Sequence, residues 1–594
     1  MTSGEDKEVR DLDVMNANIA KIETLSKRLA AAMAQGKPVP QALQAPNQDL
    51  FVKAASAYMA EMVNNPAKIM EHQIGYWGKT LTHFTEAQNR FAKGDYTPPA
   101  DDTPKDRRFS NPLWDTHPYF NFVKQQYMAN AQAMTEAVQD IEGLPDSDRR
   151  RVDYFTKQIV DMLAPTNFLA TNPDALEQAV ATNGDSLVAG LENLVRDVEE
   201  HDGQMIVSLA DKTAFEVGRN LGTSEGAVVF RNRMFELIQY APTTPTVHET
   251  PLLIFPPWIN KFYILDMKEQ NSLIKWIVDQ GYTLFIVSWV NPDESYADVG
   301  MDEYVEEGFL TAIDQVKQIT GVPKINVTGY CIAGTTLSIT LGLLKQRGDT
   351  SINSATFFTT LTDFSDQGEV GVFLDNDFVD AIEAEAQRTG MMSSFYMART
   401  FSYLRANDLI YQPAIRSYML GEAPPVFDLL YWNSDSTNLP GKMAIQYLRN
   451  LCQGDFLATT GFPICDTKVH LSEVSVPVCA IGCETDHIAA WASSYNGVRQ
   501  MGTKDKTFIL SESGHIAGIV NPPSKKKYGH YTNDDATLPP QEWKEGATFH
   551  KGSWWPRWEA WLDTRSGGSI PARQIGDSGW VSLAPAPGTY VKAS

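Results

Sequence analysis

The feature that most constrains this chain is the run Gly329-Tyr330-Cys331-Ile332-Ala333-Gly334. It stands between a short strand-like run (Ile325 to Val327) and a run with helical apolar spacing (Thr335 to Leu344). Small residues around a nucleophile at a strand-to-helix junction let the chain turn sharply and let strand and helix approach closely behind the turn. The surrounding texture alternates. Leu252 to Phe255, Tyr282 to Val290, Ile325 to Thr328 and Ser354 to Leu361 read as strands, several of them apolar on both faces. Ser272 to Asp279 reads as a helix ending at Gly281, and Tyr304 to Ile319 as one stopped by Gly321. The rhythm resumes with Val476 to Cys483, a helix near Ala490 to Met501, and Thr507 to Leu510; Trp554 to Leu562 reads as a final helix. This alternation predicts a mostly parallel sheet covered by helices. The tail from Ser566 to Ser594, rich in Gly, Pro and Ser, is expected to pack as extended coil.

A nucleophile at such a junction is the elbow pattern of the α/β-hydrolase fold, here with sulfur in place of the usual serine oxygen. A thiol reacts mainly as thiolate, so it needs a base, and the base an orienting acid. In this fold the order along the chain is nucleophile, acid, histidine. Asp486 follows the strand ending near Cys483, and His515 follows Thr507 to Leu510, inside Ser513-Gly514-His515-Ile516-Ala517-Gly518. Taken singly, each has a bland reading. A lone cysteine in an apolar setting is usually inert core, an acid after a strand is commonly a helix cap, and a histidine there suits a surface loop. The ordered set outweighs all three. His487, beside Asp486, fits a structural and a functional role equally well. An oxyanion hole needs two backbone N–H groups. One is expected from Ile332, and the other from Phe255-Pro256-Pro257-Trp258-Ile259-Asn260. Prolines carry no N–H, which leaves Trp258 or Ile259; alternatively, the two prolines merely stiffen a turn.

The sulfur bears on the reaction. A serine enzyme taking an acyl group from a thioester stores it as an oxygen ester and loses much of its activation. A cysteine exchanges thioester for thioester at little cost, and the acyl group stays reactive toward an alcohol. This tilts the reading from hydrolysis toward acyl transfer, although cysteine hydrolases share the fold. Acyl transfer also requires exclusion of water. Residues 364 to about 472, aromatic-rich and irregular, interrupt the alternation and read as an inserted cap that offers a means.

Residues 1–225 look mostly helical, with Val123 to Ile141 and Asp174 to Glu200 as examples. The second has a possible break at Gly184, and Asn172 and Pro173 suit its cap and first turn. Pro98, Pro99 and Pro104 mark a linker between Lys93 and Lys105. The expected organisation is a helical N-terminal domain (1–225) and a catalytic domain (226–594) carrying the cap. A net charge of −23 argues against nucleic acid as a partner. Met1 to Leu12 is polar, without an apolar signal segment, and no apolar stretch is long enough for a transmembrane segment. Five cysteines, an odd and small number, read as reduced thiols of a cytoplasmic protein. Cys452, Cys465, Cys479 and Cys483 are expected to be structural, and no His/Cys cluster has metal-site spacing.

Several segments together are far more specific than an elbow. They are Gly329-Tyr330-Cys331 with Gly334-Thr335, the run from Phe255-Pro256-Pro257-Trp258 to Asp266, and Ser288-Trp289-Val290-Asn291-Pro292. To these are added Phe427 to Thr437, Asp486-His487-Ile488 and the Ser513 to Gly518 run. On these residues the chain resembles the polyhydroxyalkanoate synthases of class I, from roughly Asp106 to Lys592. The resemblance implies polymerisation of (R)-3-hydroxyacyl-CoA, typically 3-hydroxybutyryl-CoA, into polyester. Coenzyme A is then part of the substrate and is released, and no further cofactor or metal is expected. It implies Cys331 as acyl carrier, His515 as its base, and Asp486 as activator of the attacking 3-hydroxyl; the sequence alone equally fits Asp486 as the orienter of His515. It also implies a homodimer on the surface of cytoplasmic storage granules, with the N-terminal region tied to dimerisation and to contacts with granule-associated proteins. By the same likeness Trp432 and Arg405 are substrate-channel residues, against a bland reading as cap packing. Three positions depart from the family pattern: Ala333 for glycine, Ala490 for proline, and Val290 for a charged residue. None removes a catalytic group. The rival readings are a cysteine thioesterase or polyester depolymerase of the same fold, and a non-catalytic granule scaffold.

Overall fold

A computed structural model describes residues 2–35, 105–139, 141–576 and 579–593. The linker expected from Lys93 to Lys105 lies outside the described residues, Lys105 excepted. The chain divides into two compact units, Met1–Asp211 with Phe401–Val426, and Lys212–Thr400 with Phe427–Ser594.

The first unit is helical, with helices at Thr2–Ala34, Pro118–Gln139, Asp146–Met162, Pro173–Ala181 and Asp185–Glu200. Local chemistry sets the boundaries. Asn172 accepts from the Ala175 amide at 3.2 Å and Pro173 opens the first turn. Gly184, at φ 87°, breaks the run so that a new helix begins at Asp185. Part of the segment read as one cap belongs to this unit. Asn193 Nδ2 donates to the carbonyls of Ser417 (3.1 Å) and Glu422 (3.0 Å).

The second unit is built on an eleven-stranded sheet. Its strands, in chain order, are β1 (Gly226–Arg231), β2 (Phe235–Tyr240), β3 (Leu252–Phe255), β4 (Leu284–Trp289), β5 (Ile325–Tyr330), β6 (Ile352–Phe358), β7 (Val478–Cys483), β8 (Lys506–Ser511), β9 (His530–Thr532), β10 (Thr548–His550) and β11 (Ala584–Pro585). Across the sheet they run β10-β9-β8-β7-β6-β5-β3-β4-β2-β1-β11. The six from β8 to β4 pair in parallel. β3, β4, β5 and β7 are buried along their whole length, as strands covered on both faces must be. One cover is the final helix, Trp555–Asp563, which buries Trp555, Trp558 and Leu562.

Two features correct the sequence reading. The parallel core is flanked by antiparallel strands, β1 and β2 on one side and β9 and β10 on the other. The tail is not simply extended coil. Ser569–Pro571 pairs with Thr246–His248, and β11 pairs with β1. An edge strand presents unpaired N–H and C=O groups. Leu583 and Ala586 satisfy them by donating to Val228 O (2.8 Å) and Gly226 O (2.9 Å). Among the described residues, no helix is long and apolar enough to cross a membrane.

Candidate active site

The candidate residues lie beyond the carboxyl ends of the central parallel strands, where open α/β sheets carry their sites. Cys331 follows β5 directly, at φ 53° and ψ −125°. Positive φ is costly for a side chain with a Cβ, so the surroundings must impose it. The Cys331 amide donates to Phe358 O at 2.8 Å, and its carbonyl accepts from Gly334 at 2.9 Å. The elbow also needs its glycines. A Cβ on Gly329 would lie 2.6 Å from Gly334 Cα, and one on Gly334 only 2.1 Å from Thr360 Oγ1. Ala333, where the family pattern has glycine, is fully buried and leaves both glycines in place.

His515 and Asp486 stand on the loops after β8 and β7. Backbone bonds tie these loops together: Thr485 N–H to Ser513 O at 3.0 Å and Glu484 N–H to Ser511 O at 2.9 Å. Gly518 closes the histidine loop against β7, because a Cβ there would meet Cys483 Sγ at 2.4 Å. Asp486 Oδ1 accepts from the amides of Ile488 (2.8 Å) and Ala489 (2.9 Å). Its Oδ2 lies 2.7 Å from His515 Nδ1, and the carboxylate is 0 % exposed. Both oxygens are thus committed, which favours orientation of His515 over direct contact with a hydroxyl. Burial opposes charge on His515, but the charges of Asp486 and Cys331 and hydrogen bonds to both push the imidazole up to about 10. The ring therefore carries a proton at neutral pH. Tyr330 stacks on it, centroids 5.9 Å apart.

Ile332 opens the helix Ile332–Gln346; the first amides of a helix have no intrahelical acceptor. Trp258 and Ile259 occupy the turn after β3, whose last residue, Phe255, pairs with Gly329. Both donor candidates therefore begin beside the elbow. His487 is half-buried next to Asp486. Trp432 is a core residue whose Nε1 donates to Lys261 O at 2.7 Å. Arg405 is exposed in the first unit. The structure thus brings together Cys331, Asp486 and His515. Burial pushes the Cys452 thiol up to about 12, as suits an inert residue. Sequence reasoning missed Thr336 and Thr437, which hold the Trp258 turn. Thr437 is only the end of the Phe427 to Thr437 run in sequence, and nothing local marks its contact with Trp258, 179 positions away.

The chain is similar to proteins of assigned activity. A family model described as poly-beta-hydroxybutyrate polymerase (PhaC) N-terminus matches residues 105–277, and one described as alpha/beta hydrolase fold matches residues 251–522. A poly(3-hydroxyalkanoate) polymerase of Methylorubrum extorquens is 38% identical over 599 residues, covering 98% of this chain and 98% of its own length. The poly(3-hydroxyalkanoate) polymerase subunit PhaC of Cupriavidus necator is 41% identical over 495 residues, covering 82% of this chain and 83% of its own. Among solved structures, a monoacylglycerol lipase of Paleococcus ferrophilus is 11% identical with a TM-score of 0.28, covering 47% of this chain and 90% of that one.

Proposed function

The chain belongs to the poly(3-hydroxyalkanoate) polymerases, and on that premise we propose that it transfers (R)-3-hydroxyacyl groups, typically 3-hydroxybutyryl, from coenzyme A into polyester through a thioester on Cys331. The Cys331 sulfur attacks the thioester carbonyl. The oxyanion rests on the Ile332 amide and on a second amide from Trp258 or Ile259. Collapse breaks the bond to the CoA sulfur, which takes the proton that His515 holds. The acyl group now sits on Cys331 and His515 is neutral. The 3-hydroxyl of a chain end or incoming unit then gives its proton to His515 as its oxygen attacks. The bond to Cys331 breaks, an ester forms, and the sulfur and the protonated imidazole are restored. Asp486 keeps the ring's Nδ1 engaged throughout. Protein-bound, water-excluded transfer is what separates this outcome from hydrolysis. The reading includes a homodimer on the granule surface.

The observation that carries the proposal is the buried His515–Asp486 hydrogen bond beside Cys331 at a strained elbow. Purified protein given (R)-3-hydroxybutyryl-CoA is expected to release CoA and deposit insoluble polyester. Free 3-hydroxy acid as the only product would establish a thioesterase instead. Granules that form unchanged with Cys331→Ala, in cells lacking another synthase, would leave only a scaffold.

A further inference from the structure

The second oxyanion amide is held from outside the elbow. The Trp258–Ile259 peptide is trans, so its C=O and N–H point in opposite directions. Thr437 Oγ1 donates to Trp258 O at 2.9 Å, and the Thr437 amide donates to Ile259 O at 3.3 Å. Fixing the Trp258 carbonyl fixes the direction of the Ile259 N–H. The Pro257 carbonyl, which shares its peptide with the Trp258 N–H, closes the backbone turn at Trp258–Ile259, and no side chain among the described residues donates to it as Thr437 does to the Trp258 carbonyl. The Trp258 side chain is pinned as well. Its Nε1 donates to Thr336 Oγ1 at 3.2 Å, and Thr336 Oγ1 donates to Ile332 O at 3.1 Å. The residue bearing the first oxyanion amide and the turn bearing the second are therefore joined through one hydroxyl. Tyr304 and Tyr447 pack against the same indole, with centroids at 5.9 and 5.7 Å. Trp258, Thr336 and Thr437 are all buried, so water does not compete for these bonds.

We propose that Thr437 and Thr336 are positioning residues of the oxyanion hole, which together set the Ile259 amide, rather than that of Trp258, as the partner of the Ile332 amide. The inference rests on the acyl-transfer reading above. It adds that a segment inserted between β6 and β7, through Thr437, completes the machinery built on β3 and β5.

The test uses the full chain with Thr437→Val, Thr437→Ser, Thr336→Val and Thr336→Ser. Valine keeps the shape and removes the hydroxyl. Losing an oxyanion donor outright costs about 100- to 1,000-fold in kcat, so a misdirected one is expected to cost about 10- to 100-fold. KM for (R)-3-hydroxybutyryl-CoA should stay within about threefold, because ground-state binding does not use the oxyanion position. Each serine variant should recover most of the lost kcat. A valine variant with unchanged kcat, a loss carried equally by KM, or serine variants as poor as valine would overturn the proposal. If the wild type releases no CoA from that substrate, the acyl-transfer reading itself falls. The pins are then read from p-nitrophenolate release with p-nitrophenyl butyrate, where equal rates for wild type and Thr437→Val overturn them. A wild type inert toward both substrates overturns both.

Discussion

One proton decides the chemistry of the site. His515 holds it at neutral pH because Asp486 and Cys331 outweigh the cost of burying a cation. Replacing Asp486 by asparagine removes the stronger of the two charge interactions and leaves burial in place, so the imidazole loses its proton at lower pH. The expected result is a kcat lower by about 10³- to 10⁴-fold, as in other triads. The alkaline limb of the rate profile should also move down by more than one pH unit. A pH–rate series on both proteins checks this; an unmoved limb would show that His515 is not the titrating group. The same shift enters stability with a defined sign. The folded value, about 10, lies above the ordinary 6.5, so the stabilisation is complete below pH 6.5 and is lost as pH rises through about 10. Thermal melts from pH 7 to 10.5 should fall more steeply for wild type than for Asp486→Asn. The three candidates could be picked out because chain order and loop position are local facts of sequence. Between the two roles open to Asp486 the sequence could not choose; the Ile488 and Ala489 amides that occupy its other oxygen favour the orienting one.

At the scale of elements, the elbow is a packing problem before it is a catalytic one. An alanine in place of glycine normally stabilises a helix by about 1 kcal/mol. At Gly334 the sign should reverse, because the new Cβ would stand 2.1 Å from Thr360 Oγ1. Overpacking of this kind costs about 1–3 kcal/mol, read as a lower denaturant midpoint, and the displaced helix should take the Ile332 amide and activity with it. Adding Thr360→Ala should restore much of the stability; a double variant no better than Gly334→Ala would point to some other cause. Strands β3 and β4 were legible because they are nearly continuous apolar runs, which burial on both faces requires; β5, which buries Asn326 and Thr328, was legible through the small-residue turn that follows it. The flanking pair β9 and β10 escaped notice for the complementary reason. β9 and β10 are three residues each and mostly polar or half-exposed, and short edge strands carry little periodic signal.

At the largest scale, the second unit is closed by the tail of the chain. Glu236, on β2, has a side chain 0 % exposed. It accepts from the Thr589 amide (2.8 Å), Thr589 Oγ1 (2.8 Å) and the Tyr590 amide (3.0 Å), as well as from Arg231 Nε (2.9 Å). A carboxylate is tolerated in such a place only while its donors are present, and most of them arrive from 353 or more positions away. No local reading of a Gly- and Pro-rich tail could reveal that it serves a charge on the opposite half of the sequence. The tail also reaches the segment that follows the Trp258–Ile259 turn, where Lys261 Nζ donates to Ala593 O (2.9 Å) and to Asp435 (2.6 Å). Ending the chain after Leu583 should therefore lower both the melting temperature and kcat. The decisive comparison is Glu236→Gln in both lengths. In the full chain, loss of charge-assisted hydrogen bonds should cost about 1–3 kcal/mol. In the shortened chain the carboxylate has lost its tail donors, so the same substitution should cost nothing or stabilise. Equal costs in both lengths, measured by denaturant unfolding, would mean that Arg231 alone satisfies Glu236 and that the tail is held by its pairing with β1 instead.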